Sequence, residues 1–186
     1  MTQQSAYSLR DFNILLVEDY DFIKGLIIAM LRAFGVNNII VCANAREAIE
    51  TLTIHMAQAQ GSSPKPIDIV LTDWMMPDGP GSELIQWMRN HKNETIRFLP
   101  VIMLSTFASE AAVRAARDLG ANEVLVKPVS AEKVATRILS IIDHPRPFVK
   151  TVSFFGPDRR RRDRAWKNAE RRKMDASQIV AHTEGA

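Results

Sequence analysis

The 186-residue chain is long enough for one domain with a tail or a very small second module, and its 46% apolar content excludes a disordered protein. Its single cysteine, Cys42, excludes an internal disulfide framework and agrees with a reducing compartment. The net charge of +3 conceals an asymmetry: residues 1–145 carry 13 Lys/Arg against 16 Asp/Glu, whereas residues 146–186 carry 11 against 5. An acidic body and a basic tail point to different partners for the two parts. Residues 1–13 lack the apolar core of a signal peptide, and no apolar run reaches the roughly 20 residues that span a bilayer. The expectation is a cytoplasmic protein without membrane insertion.

In chain order, residues 1–10 form an N-terminal tail, and five short apolar runs rich in branched residues then alternate with five helix-like segments. The runs lie at 12–17, 38–41, 67–72, 100–104 and 123–126, each bounded by turn or polar residues as a doubly buried strand should be. The helical segments are 22–34, 46–59, 82–91, 109–119 and 131–142. In the first, Phe22, Leu26, Ile27, Met30 and Phe34 make one apolar stripe. Gly35 and Gly120 stand where left-handed helix caps are expected. Such alternation predicts an α/β fold, a doubly wound parallel sheet with ligands at the carboxyl ends of its strands. Residues 60–66 read as a surface connection. The periodicity stops after Ile142, so the boundary is set near Asp143: a domain over 11–143 and a basic extension over 144–186.

The strand ends carry the chemistry. Glu18 and Asp19 follow the first run, Asp73 the third, Ser105 the fourth, and Lys127 and Pro128 the fifth. This fold would gather those ends into one cleft. Crowded carboxylates are costly unless a cation neutralises them, and hard oxygen ligands with open positions suit Mg2+. In such a cleft Asp73 could attack a phosphoryl group as a carboxylate nucleophile, with Lys127 and the Ser105 hydroxyl binding its oxygens. Lys127-Pro128 is a candidate cis bond that would aim the lysine inward. The four histidines, at 55, 91, 144 and 182, show no metal-ligand spacing.

The segments LLVEDY, IVLTDWMMPDGPG, PVIMLST and VLVKPV, in this order across 11–143, resemble the receiver domain of two-component response regulators, the CheY-like family. The resemblance implies a flavodoxin-like, five-stranded sheet of order 2-1-3-4-5. It implies Asp73 as phosphoacceptor, with Lys127 and Ser105 as its partners. Mg2+ would be held by Glu18, Asp19, Asp73 and the Met75 backbone carbonyl, with Asp19 the direct ligand of the acidic pair. The implied partners are a histidine kinase or phosphotransfer protein and a protein target, a flagellar motor or a kinase among the candidates, with a monomer or a phosphorylation-dependent dimer as the assembly. Such a domain is a phosphoacceptor rather than an enzyme, with at most slow autodephosphorylation. One departure stands out: Val124 occupies the place where family members carry Tyr or Phe. Met75 and Phe107 would flank the phosphoryl site.

The extension is too short for a winged-helix or helix-turn-helix domain. It carries Arg159, Arg160, Arg161 and Arg162, then further Lys and Arg, with Phe154, Phe155 and Trp166 interleaved. The stretch RPFVKTVSFFGPDRRRR resembles the arginine-rich extension of CheY-like regulators that bind cyclic di-GMP. That resemblance implies arginines on phosphates and guanines, with Phe154 or Phe155 near a base. Three readings stay open: a polybasic tail meeting acidic surfaces, a nucleotide site, and a nucleic-acid contact.

Overall fold

A computed structural model describes residues 9–58, 66–152, 154–159 and 179–180. After a short 3-10 turn at Leu9–Asp11, the chain alternates β1 (Asn13–Val17), α1 (Asp21–Ala33), β2 (Asn38–Cys42), α2 (Ala45–Gln58), β3 (Ile69–Asp73) and α3 (Gly81–Asn90). It continues through α4 (Glu94–Phe98), β4 (Val101–Ser105), α5 (Glu110–Leu119), β5 (Glu123–Val126) and α6 (Ala131–Asp143). The five strands form one parallel sheet of order β2-β1-β3-β4-β5, the order expected. Its register sets Val17 beside Cys42 and Thr72, and Asp73 beside Leu104.

Period-two alternation divides the core. Leu15, Val17, Val70, Val101 and Met103 face α2, α3 and α5, whereas Ile14, Leu16, Leu71, Ile102 and Leu104 face α1 and α6. Both faces are covered, so β1, β3 and β4 are buried along their whole length and read as unbroken apolar runs. Side chains set the helix starts. Ser109 accepts from the Ala112 N–H, Ser130 from Lys133, and Asn93 from Thr95. Asn44 accepts from the Glu47 N–H, while the Glu47 carboxylate accepts from Ala43. Gly35 and Gly120 end α1 and α5 with φ of 87° and 104°, as their sequence positions suggested.

Two features escaped the sequence reading. The single-turn α4 fills the interval before β4, and strands of two or three residues follow α6. β6 (Phe148–Lys150) pairs antiparallel with β7 (Phe155–Pro157) and with β8 (Ile179–Val180). A three-residue strand is too short to display a period, so nothing in the pattern announces it. Phe148 and Phe155 pack with Phe98 of α4, their ring centres 4.8 to 5.4 Å apart. Beneath them lies Arg89, 3% exposed. Its guanidinium donates to the Gly120, Arg97 and Leu99 carbonyls at 3.0, 2.6 and 3.0 Å and to Asn122 Oδ1 at 3.1 Å, with the Phe148 ring 5.1 Å away. Burial pulls this cation down to about 9, so it stays charged at neutral pH, held by neutral acceptors.

Candidate functional site

The carboxyl ends of β1, β3, β4 and β5 converge as the topology requires. Glu18 continues β1, its N–H donating to the Cys42 carbonyl, and its side chain is 1% exposed. Asp19, the next residue, is exposed. Asp73 closes β3 at 7% exposure. Ligand oxygens of these three carboxylates lie within 4.8 Å of one another.

Lys127 arrives from beyond β5, its own N–H donating to the Ser105 carbonyl at 2.7 Å, across a cis Lys127-Pro128 bond. Its ammonium bridges Glu18 Oε2 at 2.8 Å and Asp73 Oδ2 at 2.9 Å. Burial alone would lower this lysine, but the bonds to Glu18 and Asp73 outweigh it and hold the ammonium above its ordinary range. Glu18 is raised, first by burial and then by repulsion from Asp73, against the pull of Lys127 and of the Tyr20 backbone N–H. One lysine thus faces three acids, and Glu18 Oε1 is buried with no hydrogen-bond partner among the described residues. A buried oxygen without a donor, in a set of hard oxygen ligands, fits a divalent cation such as Mg2+.

Backbone contacts fix the orientation of Asp73. The Trp74 N–H donates to Asp73 Oδ1 at 2.7 Å, leaving Oδ2 to Lys127. The Thr72 hydroxyl donates to the Asp73 carbonyl. Gly81, at the start of α3, donates its N–H to the Trp74 carbonyl, and a Cβ there would lie 2.0 Å from the Asp73 carbonyl oxygen. Only glycine lets α3 begin so close to the strand end, a constraint hidden in the sequence among the turn residues of MMPDGPG.

Ser105, fully buried, accepts the Phe107 N–H at 3.0 Å and its hydroxyl also lies 3.3 Å from the Phe107 carbonyl. Met75 and Phe107 stand 59% and 52% exposed on the loops after β3 and β4, and Tyr20 and Phe22 are likewise exposed at the start of α1. Val124 packs into the core on the α2, α3 and α5 side of the sheet, without the aromatic ring of the family pattern.

The extension residues singled out by sequence lie elsewhere. Phe155 sits in the aromatic cluster at the opposite edge of the sheet, with the Arg97 guanidinium 4.0 Å over its ring. Arg159 stacks on Phe154 at 4.8 Å and ion-pairs with Asp118. Arg160, Arg161 and Arg162 lie outside the described residues. Among the described residues no helix is long and apolar enough to cross a membrane.

Known proteins share this fold. The family model of the response regulator receiver domain matches residues 14–139. The chemotaxis protein CheY-3 of Vibrio cholerae is 28% identical over 134 residues, 72% of this chain and 94% of that protein. The chemotaxis protein CheY of Pseudomonas aeruginosa is 28% identical over 130 residues, 70% of this chain and 95% of its own length. Among solved structures, the CheX–CheY–BeF3–Mg complex of Borrelia burgdorferi superposes with a TM-score of 0.60 at 28% identity, over 70% of this chain and 89% of that one. A response regulator structure from Chloroflexus aurantiacus agrees in fold, with a TM-score of 0.61 at 23% identity over 72% and 98% of the two chains. With the sheet order, the acidic cluster and a family match over most of its length, this chain belongs to the response regulator receiver family.

Proposed function

We propose that the protein is a cytoplasmic response regulator whose Asp73 accepts a phosphoryl group from a phosphohistidine on a kinase or phosphotransfer protein. The observation that carries this reading is the ammonium of Lys127 shared between Glu18 and Asp73, within a cluster of three carboxylates whose oxygens lie within 4.8 Å of one another. Glu18, Asp19 and Asp73, with the Met75 carbonyl, would hold Mg2+. When bound, the ion supplies positive charge that offsets the oxygens of the incoming phosphoryl group. Asp73 attacks phosphorus through a carboxylate oxygen as the P–N bond breaks, and the imidazole leaves with that bond pair. Lys127 then exchanges its carboxylate bond for a phosphoryl oxygen, and the Ser105 hydroxyl turns from Phe107 toward another. Exposed apolar side chains on the adjoining loops, Tyr20, Met75 and Phe107, suit the docking of a protein donor. The phosphorylated surface then binds a protein target.

We further propose that the arginine-rich segment from Arg159 to Arg162 binds cyclic di-GMP, making the protein a two-input regulator. Support comes from the basic excess of residues 146–186 and from Arg159 stacked on Phe154, next to the arginine tract. The same excess is the ground for the second reading, a nucleic-acid or acidic-protein contact, which would weaken steeply with salt. Calorimetric titration of cyclic di-GMP into the full chain, into Arg160→Ala and into a chain ending at Asp158 decides between them. Guanine-dependent binding weakened by both changes is expected. Binding of any polyanion alike, with strong salt dependence, would replace the nucleotide reading by the second.

A further inference from the structure

Residues 146–152 and 154–159 grip one corner of the receiver, the turn from α5 into β5. Arg159 pairs with Asp118 near the end of α5. The Gly156 position is packed so closely that a Cβ there would lie 3.0 Å from the Gly120 Cα. Arg146 donates to Glu123, the first residue of β5, at 2.5 Å. Phe148 lies over Arg89, which in turn holds the Gly120 carbonyl. Two ion pairs and one close backbone approach therefore converge on residues 118–123, and Phe148 reaches the same turn through Arg89.

The other end of α5 belongs to the acidic pocket. Ser105 closes β4, its hydroxyl engages the Phe107 backbone, and Ser109 caps α5 two residues later. A ten-residue helix is a rigid strut of about 15 Å, so a change in the Ser105–Ser109 loop reaches Asp118 and Gly120 as a displacement of the whole element. The strand β5 runs between the same two places, with Glu123 its first residue and Lys127 directly after its last. We infer that the docked residues 146–150 and 155–159 form a latch on the α5–β5 corner, through which occupancy of the pocket and seating of the extension are coupled. The inference rests on the phosphoacceptor reading of Asp73. Coupling of this kind is reciprocal: whatever unseats the latch shifts the pocket, and a ligand that draws Arg159 from Asp118 does so from the far side.

The ion pair is half-exposed, so it contributes little holding strength by itself. The aromatic cluster seats the latch, and Gly156 and Asp118 are the points at which it meets α5. Hydrogen–deuterium exchange on the full chain, with and without beryllofluoride and Mg2+ as the phosphoryl mimic, tests this. In the wild type, exchange should change at 105–109 and also, by about threefold or more, at 148–150 and 155–157. Gly156→Ala should keep the response at 105–109 and lose it in the extension. Asp118→Asn, a surface change that spares the packing, should reduce it in the same direction if Gly156→Ala proves unstable. A response at 105–109 with an unchanged extension would overturn the latch and leave the phosphoacceptor reading intact. Equal extension responses in wild type and both variants would also overturn it. No response at either place would overturn the phosphoacceptor reading and the latch with it.

Discussion

The two edges of the central sheet each hold a cation, Arg89 buried and Lys127 half-buried, and they treat it in opposite ways. At the amino-terminal edge Arg89 meets four neutral acceptors and an aromatic cover. At the carboxyl-terminal edge Lys127 meets two carboxylates with a third close by, and Glu18 Oε1 finds no donor among the described residues. The first edge is satisfied as it stands and holds elements together. The second is balanced only if more positive charge arrives, which is the property a phosphoryl-accepting pocket requires. Satisfaction marks structure here, and its lack marks function.

If that contrast holds, the largest stability loss should come from the satisfied edge. Arg89→Ala leaves the Gly120, Arg97 and Leu99 carbonyls without their donor and opens space under Phe148, and should cost about 3–5 kcal/mol in urea unfolding. The unsatisfied edge should answer to metal instead. Mg2+ at a hundredfold excess over its Kd should stabilise the wild type by about 2.7 kcal/mol in thermal unfolding, and Asp73→Asn should lose most of that gain. Gly81→Ala drives a Cβ into the Asp73 carbonyl and should cost about 1–3 kcal/mol. It should also slow phosphoryl acceptance by disturbing the aspartate rather than the fold alone, as kinetics at a temperature where the variant is fully folded would show.

The smallest effect is a pH dependence. Burial raises Glu18, so its folded value lies above its unfolded one. Its stability contribution is complete below the unfolded value near 4.5 and is lost as pH rises through the raised folded value. Without divalent cations, the wild type should therefore gain on Glu18→Gln as pH falls from 7 toward 5, a difference that paired urea melts would resolve.

Most of the receiver was legible in the sequence because its signals are local. Unbroken apolar runs give doubly buried strands, glycines at 35 and 120 give left-handed caps, and the polar residues at the strand ends give the pocket. Glu18, Asp19, Asp73 and Lys127 were foreseen and do meet. What was not legible depends on contacts far apart in the chain. The buried role of Arg89 depends on carbonyls 8 to 31 residues away, so it reads in isolation as one more basic residue ending an amphipathic helix. The three-residue strands after α6 are defined by their seat on Phe98 and Arg89, and the closeness of Gly81 to Asp73 by the tertiary turn between them. Phe155 looked like a free stacking face because its cover, Arg97, comes from the insertion before β4.

Intact-mass analysis after incubation with a small acyl phosphate and Mg2+ reads phosphoryl acceptance at Asp73 without any partner protein. One added phosphoryl group, acid-labile, absent with a chelator and absent in Asp73→Asn, is the predicted result. No gain in the wild type, or an equal gain in Asp73→Asn, would contradict the assignment of Asp73 as phosphoacceptor.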